Sequence, residues 1–465
     1  MATVPGVTRS ALTPGYCLSS LRDDLSTHML FDEAQDYLLS LGHETLTIKL
    51  GLANIERLLA ALGNPHRSFP SVQIAGTNGK GSTAVMLESI CREARISVGL
   101  FTSPHLISMT ERIRVNGADI TKDEFARLTA QVKQTAEELV QGRELETLPT
   151  FFEHVTAIAL LAFREAEVEL AILETGLGGR LDSTTAAGAQ VVAITPIAMD
   201  HEEHLGSTLA EIAAEKAAII RPGVTTIVAP QHDEALEVIK ARCAEAGVTA
   251  RFASAPTNVT VAEGLVPGRM CATFETRNDR YENACLGLPG RHQTINAATT
   301  VVIAEGLGER GFDLSRHLIL SGLRNAKHPG RLELLEGNPP VLFDGAHNPA
   351  AARALHDYLD EFMAQPITLI FGAMRDKPLS EIAAILFPAA RQVILTELDN
   401  PRAATLENLK AAAPAGLDQT SLHEAKSVAE ALQIARRVTG ADGLILITGS
   451  LYLVGAAQEF IRSDD

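Results

Sequence analysis

The sequence predicts an α/β chain of two domains, each built on an open parallel sheet, and three observations carry that prediction. The 465 residues exceed what one hydrophobic core ordinarily fills. Short apolar runs alternate with helix-period segments over most of the chain, the pattern of parallel strands joined by helices. That alternation breaks near residues 323–330 and restarts beyond them, which puts one sheet on each side.

Composition narrows the class. Apolar residues make up 46% of the chain while aromatics reach 4% and Trp is absent, so the cores must be aliphatic and alanine-rich. A formal charge of −17 argues against a nucleic-acid footprint, which needs a clustered basic face. It leaves anionic small ligands open, because a site is local and net charge is not. The five cysteines (Cys17, Cys91, Cys243, Cys271, Cys285) form no C-x-x-C, which suits a reducing compartment and neither a disulfide framework nor a zinc site. No run approaches ~18 apolar residues, and no apolar stretch follows Arg9, so neither a membrane span nor a signal peptide is expected. The expectation is a cytoplasmic chain of enzyme size.

Residues 1–28 are rich in Ser, Thr and Pro without periodicity and read as a loosely ordered extension. A helical pattern starts at Phe31, and a second runs through Ile55, Leu58, Leu59 and Leu62. Between them, Leu50 and Leu52 read as core residues flanking a turn. Residues 72–75 form a buried strand, and 83–95 a helix with Leu87, Ile90 and Ala94 on one face. The turn between them is Gly76-Thr77-Asn78-Gly79-Lys80-Gly81-Ser82-Thr83. Strand, glycine turn and helix is the setting in which backbone N–H groups cradle phosphate oxygens. Lys80 supplies a point charge and Ser82 a hydroxyl within reach of Mg²⁺. The strict G-x-x-x-x-G-K-[ST] spacing is not met, because Gly81 separates the lysine from the hydroxyl.

The strand Val98–Phe101 runs into Thr102-Ser103-Pro104-His105-Leu106, and Thr150 is the N-cap of a helix carrying Phe152. The apolar run 168–173 ends in Glu174 and then Gly176-Leu177-Gly178-Gly179-Arg180-Leu181-Asp182. A carboxylate at the carboxyl end of a buried parallel strand is where open α/β sheets place ligand chemistry, and Glu174 has the position of a Mg²⁺-holding acid. The next strand, 190–195, is followed by Asp200-His201, and the helix after Thr208 carries Lys216. Residues 251–288 turn short and β-like and read as a hairpin region; Asn296 then opens a helix. Past the break, Val341–Phe343, Ile367–Phe371, 393–396 and Leu444–Thr448 are strands of the second sheet. Asp344-Gly345-Ala346-His347-Asn348, Gly372 to Lys377 and Gly449-Ser450 stand at three of their carboxyl ends.

G-T-N-G-K-G-S-T resembles the phosphate loop of the Mur ligase superfamily, specifically that of the folylpolyglutamate synthase/dihydrofolate synthase family. S-P-H-L, T-x-F-E, G-L-G-G-R-L-D, D-H-x-x-x-L-G, E-K-A-x-I-I and P-G-R follow in the family's order, so the resemblance covers about residues 40–455. It implies an N-terminal P-loop ATPase-type parallel sheet (29–322), a linker (323–330) and a C-terminal Rossmann-like parallel sheet (331–465). The implied activity is ATP-dependent addition of L-glutamate to a folate or dihydropteroate through an acyl phosphate. Another Mur-superfamily amino-acid ligase with a different carboxylate acceptor is the alternative.

The family's site residues carry over by position. Thr77, Asn78, Gly79, Lys80, Gly81, Ser82, Thr83, Asn296, Arg331 and Asp344 would meet ATP. Two Mg²⁺ ions would sit at Ser82 and at Ser103, Glu174, His201 and a CO₂-derived carbamate on Lys216, with a monovalent cation as an option. Ile48, Lys49, Leu50, Thr150, Phe152, Arg180, Leu181 and Asp182 would face the folate, and His347 and Ser450 the glutamate. Lys80, Lys216, His347 and Asp344 are the catalytic set. Lys49 stands where some members have an acid, and the family's asparagine after D-A-T is missing beyond Ser183-Thr184-Thr185. A monomer without nucleic-acid or membrane partners is expected.

Three competitors fit less well. A cell-wall muramoyl ligase needs a UDP-binding domain ahead of the loop, where 75 residues precede Gly76. A GTPase needs N/T-K-x-D after a strand, which Thr121-Lys122-Asp123-Glu124 does not provide. A dinucleotide oxidoreductase needs G-x-G-x-x-G, which Gly176, Gly178 and Gly179 do not form.

Overall fold

The computed structural model describes residues 29–42, 51–264 and 266–464; the extension 1–28 and the folate-side stretch Ile48-Lys49-Leu50 lie outside the described residues. Strands form where the apolar runs were read. Ser71–Ala75, Leu170–Glu174 and Leu444–Thr448 are buried along their whole length, because helices cover both faces of each sheet.

The first sheet has eight strands, in the order Ala118–Asp119, Ile113–Val115, Val98–Phe101, Leu170–Glu174, Ser71–Ala75, Val191–Ile194, Thr225–Val228 and Arg251–Phe252. The last six run parallel, and the first two form an antiparallel edge. Both sheets are mainly parallel, as expected, and each carries an antiparallel edge. In the second, Glu333–Leu335 pairs antiparallel with Val341–Phe343, followed by Leu444–Thr448, Ile367–Phe371, Gln392–Thr396 and Leu422–Ala425 in parallel. An edge strand has one free side, so no crossover helix dictates its direction.

The strand order fixes the site. Ser71–Ala75 lies between Leu170–Glu174 and Val191–Ile194, so the loops after all three emerge side by side. In the second sheet Leu444–Thr448 lies between Val341–Phe343 and Ile367–Phe371, which groups the loops at 344–348, 372–377 and 449–450 in the same way.

Four further features differ from expectation. The phosphate-loop helix starts at Lys80, not Thr83, so the loop's lysine and serine belong to its first turn. Arg251–Phe252 joins the large sheet, and only Thr257–Val261, Arg269–Glu275 and Arg280–Pro289 make a separate antiparallel sheet. Cys271 and Cys285 form a disulfide, against the expectation of reduced cysteines. They oppose each other in the register of the two strands, at a sequence separation of 14. Hairpin register, invisible in the cysteine spacing, brings them together. Helix Arg316–Asn325 extends into the expected linker, so irregular backbone begins only at Ala326.

Capping explains where helices begin. Thr150 and Thr208 each form a reciprocal capping box, with Glu153 and Glu211 respectively. In the first of these helices His154 is fully buried, with Nδ1 at 3.1 Å from the Thr150 carbonyl and Nε2 at 3.1 Å from the Tyr37 hydroxyl. The carbonyl can only accept, so Nδ1 carries the proton and Nε2 accepts from Tyr37. Burial pushes the His154 pKa down to about 4.

The folded pKa is therefore below the ordinary value of about 6.5, and the sign follows. Above that value both states are neutral and nothing changes. Between it and about 4 the unfolded chain takes up a proton that the folded chain refuses, so stability falls with pH. Replacing His154 by Gln, which keeps polar partners but does not titrate, should flatten the loss by about 1.4 kcal/mol per pH unit. Urea unfolding at pH 6 and pH 5 measures this, and identical slopes would refute it.

Candidate active site

The phosphate loop is pinned from below by its neighbour. Thr77 and Asn78 amides both donate to the Pro196 carbonyl at 3.1 Å, and the Thr77 hydroxyl donates to the Ala198 carbonyl at 3.0 Å. The first amides of helix Lys80–Glu93 have no acceptor within the helix, so they face outward as anion donors. Lys80 Nζ folds back onto the Gly76 and Thr77 carbonyls at 3.2 and 3.3 Å. Lys216, 5% exposed, donates to the same Gly76 carbonyl at 2.8 Å. Two amines on one carbonyl make this the most cation-dense point of the loop. Burial first and the Lys80 charge second lower the Lys216 pKa to about 7.

Ser82 is buried and Thr83 fully so. The Ser82 hydroxyl is 3.3 Å from His328 Nδ1 and accepts from Gln293 Nε2 at 3.3 Å. Asn296 donates to Gln293 Oε1 at 2.9 Å, which joins the expected nucleotide residue Asn296 to the loop. Glu174 sits on the other side: Ser103 N donates to its Oε2 at 3.2 Å, and a side chain at Gly81 would come within 3.4 Å of the same oxygen.

A second cluster centres on Asp200, which sequence reasoning passed over in favour of its neighbour His201. Lys377 Nζ donates to Asp200 Oδ1 at 2.7 Å and lies 3.4 Å from His201 Nε2. His347 Nε2 is 3.8 Å from Asp200 Oδ2. Asn348 donates to both Asp200 Oδ2 at 3.2 Å and Asn78 Oδ1 at 3.0 Å, so the second sheet touches the phosphate loop directly. Burial works to raise the Asp200 carboxyl, but the flanking His201 and Lys377 outweigh it and hold the group well below the usual carboxylate range. Burial also drives His201 to about 3 and His347 to about 4, which leaves both imidazoles neutral at neutral pH. At neutral pH Lys377 is therefore the cation beside Asp200, and the two imidazoles add positive charge only in acid. His201 itself has a left-handed φ of 53°, a conformation that costs a non-glycine residue ~1 kcal/mol or more and that recurs at functional sites.

A cleft of about 600 Å³, lined by His201, His347 and Lys377 of the second cluster, is walled by loops of both sheets. Thr150, Phe152, Arg180, Leu181 and Asp182 line one side, and His347 and Ser450 the other, with Ser103 and His201 between. Within that wall roles differ. The Thr150 hydroxyl caps its helix, accepting from Glu153 N at 3.3 Å. Asp182 accepts from the Gly176, Leu177 and Thr184 amides, so its carboxylate shapes its own loop. Arg180 reaches Glu215 at 3.0 Å on the surface. Ser450 accepts from Tyr452 N at 3.2 Å at the start of the last helix. Asp344 takes the Leu332 and Ala346 amides on its two oxygens, at 3.0 and 2.9 Å; burial raises its pKa and adjacent Arg331 opposes that. Arg331 lines a smaller cavity of about 200 Å³ with Gly81, Glu174 and His328.

The residues meant for cations are therefore split. Ser82 and Glu174 offer hard oxygen donors on either side of Gly81, a set that suits Mg²⁺. His201 is engaged by the Asp200 cluster and Lys216 by the Gly76 carbonyl. Among the described residues no three His, Cys, Asp or Glu side chains gather as a metal-holding group. Lys377, Asp200, Asn348, Gln293 and His328 are the partners that sequence reasoning missed. The signal available for Lys377, Asp200 and Asn348 was their place in loops past parallel strands; for Gln293 and His328 only the tertiary packing would have revealed it.

Replacing Lys377 by Met would strand a buried carboxylate, at a cost of about 3–5 kcal/mol. Parting the two sheets rehydrates Asp200 more cheaply, so the variant should open. Small-angle scattering should show a larger radius of gyration than wild type, restored when Asp200→Asn is added. An unchanged radius in the single variant would refute this.

Residues 74–304 match the family described as Mur ligase middle domain, and residues 330–451 that described as Mur ligase, glutamate ligase domain. The chain is 36% identical over 424 residues to the dihydrofolate synthase/folylpolyglutamate synthase of Bacillus subtilis (strain 168), covering 90% of this chain and 97% of that one. A solved structure of Mycobacterium tuberculosis folylpolyglutamate synthase complexed with ADP is similar at a TM-score of 0.86 and 30% identity, over 92% of this chain and 98% of that one. The E. coli protein FolC in complex with DHPP and ADP is similar at a TM-score of 0.81 and 30% identity, over 94% and 98%. Fold, phosphate loop and relatives agree, and the chain belongs to the folylpolyglutamate synthase/dihydrofolate synthase family of Mur ligases.

Proposed function

We propose that this chain is an ATP-dependent C–N ligase that adds L-glutamate to a folate through an acyl phosphate. The observation that carries this is the hydrogen bond from Asn348 of the second sheet to Asn78 of the phosphate loop, while the adjacent His347 lines the two-walled cleft. The loop amides and Lys80 would hold the phosphates of ATP, Asn296 and Arg331 its outer parts. Phe152, Leu181 and their neighbours offer an apolar wall for the flat folate ring, and His347 and Ser450 stand opposite, where glutamate would enter. Phosphoryl transfer of this kind is charge management and positioning, which is what the site supplies.

Mg²⁺ bound with the nucleotide would neutralise phosphate charge; Ser82 and Glu174 would hold one ion, and Ser103, His201 and Lys216 would complete a second site with Glu174. A carbamate on Lys216 belongs to the same proposal. It is supported by a buried amine crowded by Lys80, where the protonated form is disfavoured. A carbamate keeps one N–H for the Gly76 carbonyl and turns a repelling cation into oxygen ligands. No helix among the described residues is long and apolar enough to cross a membrane. A cytoplasmic monomer is part of the proposal, since both walls of the cleft come from one chain.

ADP release should require both glutamate and a folate acceptor, and comparing dihydropteroate with tetrahydrofolate would settle which acceptor is preferred. Equal ATP turnover without either co-substrate would overturn the ligase reading. Lys80→Ala should lower turnover ~100-fold or more, since the γ-phosphate loses its nearest fixed cation. Lys216→Arg, which keeps charge but cannot form a carbamate, should be nearly inactive, and ¹³C-bicarbonate should give a carbamate NMR signal in wild type only. Wild-type rates from Lys216→Arg would remove Lys216 from the mechanism.

A further inference from the structure

His328 is not one of the motif positions, yet it stands against the phosphate loop. It comes from the irregular backbone between helix Arg316–Asn325 and Arg331, 246 residues from Ser82, and places Nδ1 3.3 Å from the Ser82 hydroxyl. Its ring covers Gly81 closely: a Cβ there would lie 3.0 Å from His328 Cε1. The direction of the hydrogen bond can be worked out from the network. Asn296 can only donate through Nδ2, so Gln293 presents Oε1 to Asn296 and its NH₂ to Ser82. The Ser82 oxygen therefore already accepts one hydrogen bond. If His328 Nδ1 also donated, both lone pairs of the oxygen would be used and none would remain for a cation. If His328 Nδ1 accepts, the hydroxyl proton points at the imidazole and one lone pair is left free.

We propose that His328 is a positioning residue of the nucleotide site: Nδ1 accepts the hydrogen bond from the Ser82 hydroxyl and leaves an oxygen lone pair for the Mg²⁺ that accompanies the nucleotide. This rests on the ATP reading of the site. It differs from a packing role, because it acts on the cation and not on the phosphates, which the loop amides and Lys80 hold.

The test is equilibrium binding of a fluorescent ADP analogue to the full chain, with saturating Mg²⁺ and with EDTA. Wild type should bind more tightly with Mg²⁺. His328→Phe should lose about tenfold or more of that enhancement, the size typical for an outer-sphere partner of a metal ligand, and should keep its EDTA affinity within twofold. His328→Asn, whose Oδ1 can accept in the place of Nδ1, should recover most of the enhancement and also serves if His328→Phe folds poorly. Ser82→Ala should lose the same enhancement, with no further loss when His328→Phe is added. Wild-type Mg²⁺ dependence in His328→Phe, or equal losses with and without Mg²⁺ in His328→Phe and His328→Asn, overturns the proposal while the nucleotide site stands. Absence of analogue binding in wild type overturns the nucleotide reading itself, and this inference with it.

Discussion

The Asp200 carboxylate is the constraint on which the cleft depends. It follows the strand next to the central one of the first sheet, and it is buried. A buried anion needs a cation with good geometry, or it must neutralise or open to solvent. The first sheet does not supply that cation. Lys377, from the carboxyl end of a strand in the second sheet, does. The loop after Val341–Phe343, one strand removed in the same sheet, brings His347 and Asn348 to the same carboxylate. The two sheets thus meet through the loops at their carboxyl ends, where open α/β sheets have their binding loops.

That arrangement makes the phosphate loop a shared element. Asn348 holds Asn78 and Asp200 at once, so a change in loop shape is felt by the second sheet without any intermediary. The local charge also runs against the chain as a whole. With a formal −17 overall, the loop still concentrates Lys80 and Lys216 on the Gly76 carbonyl. Their mutual repulsion, added to burial, is relieved by anything that brings negative charge to the loop, whether a phosphate or a carbamate.

The sheets and the loops at their strand ends were legible in the sequence because each is a contiguous signal: an apolar run, then Glu174, Asp344 or the glycine loop. What stayed illegible depends on which strand lies beside which. Lys377 and Asp200 are 177 residues apart, and nothing in either local sequence names the other. The Gln293 to Ser82 contact spans 211 residues and rests on the packing of two helices. Cys271 and Cys285 failed for a smaller reason, since their pairing follows from hairpin register. The antiparallel edges failed because an edge strand carries no covering helix whose spacing would give its direction. The stretch around Lys49 lies outside the described residues, so its expected contact with the folate stays a proposal.

The departure of the loop from the strict phosphate-loop spacing has a physical cause in this architecture. Gly79 has φ of 87°, and a Cβ there would collide with the Asn296 amide, which enters from a helix far along the chain. Gly81, the residue that breaks the usual lysine–hydroxyl adjacency, lies under the His328 imidazole on one side and Glu174 on the other. A Cβ at 81 would crowd the His328 ring at 3.0 Å and touch Glu174 Oε2 at 3.4 Å. Here the loop is approached from three elements, and the hydroxyl moves one residue on, to Ser82, where Gln293 and His328 can reach it. The extra glycine is the trace, in one dimension, of a distant helix and the linker folding back over the loop.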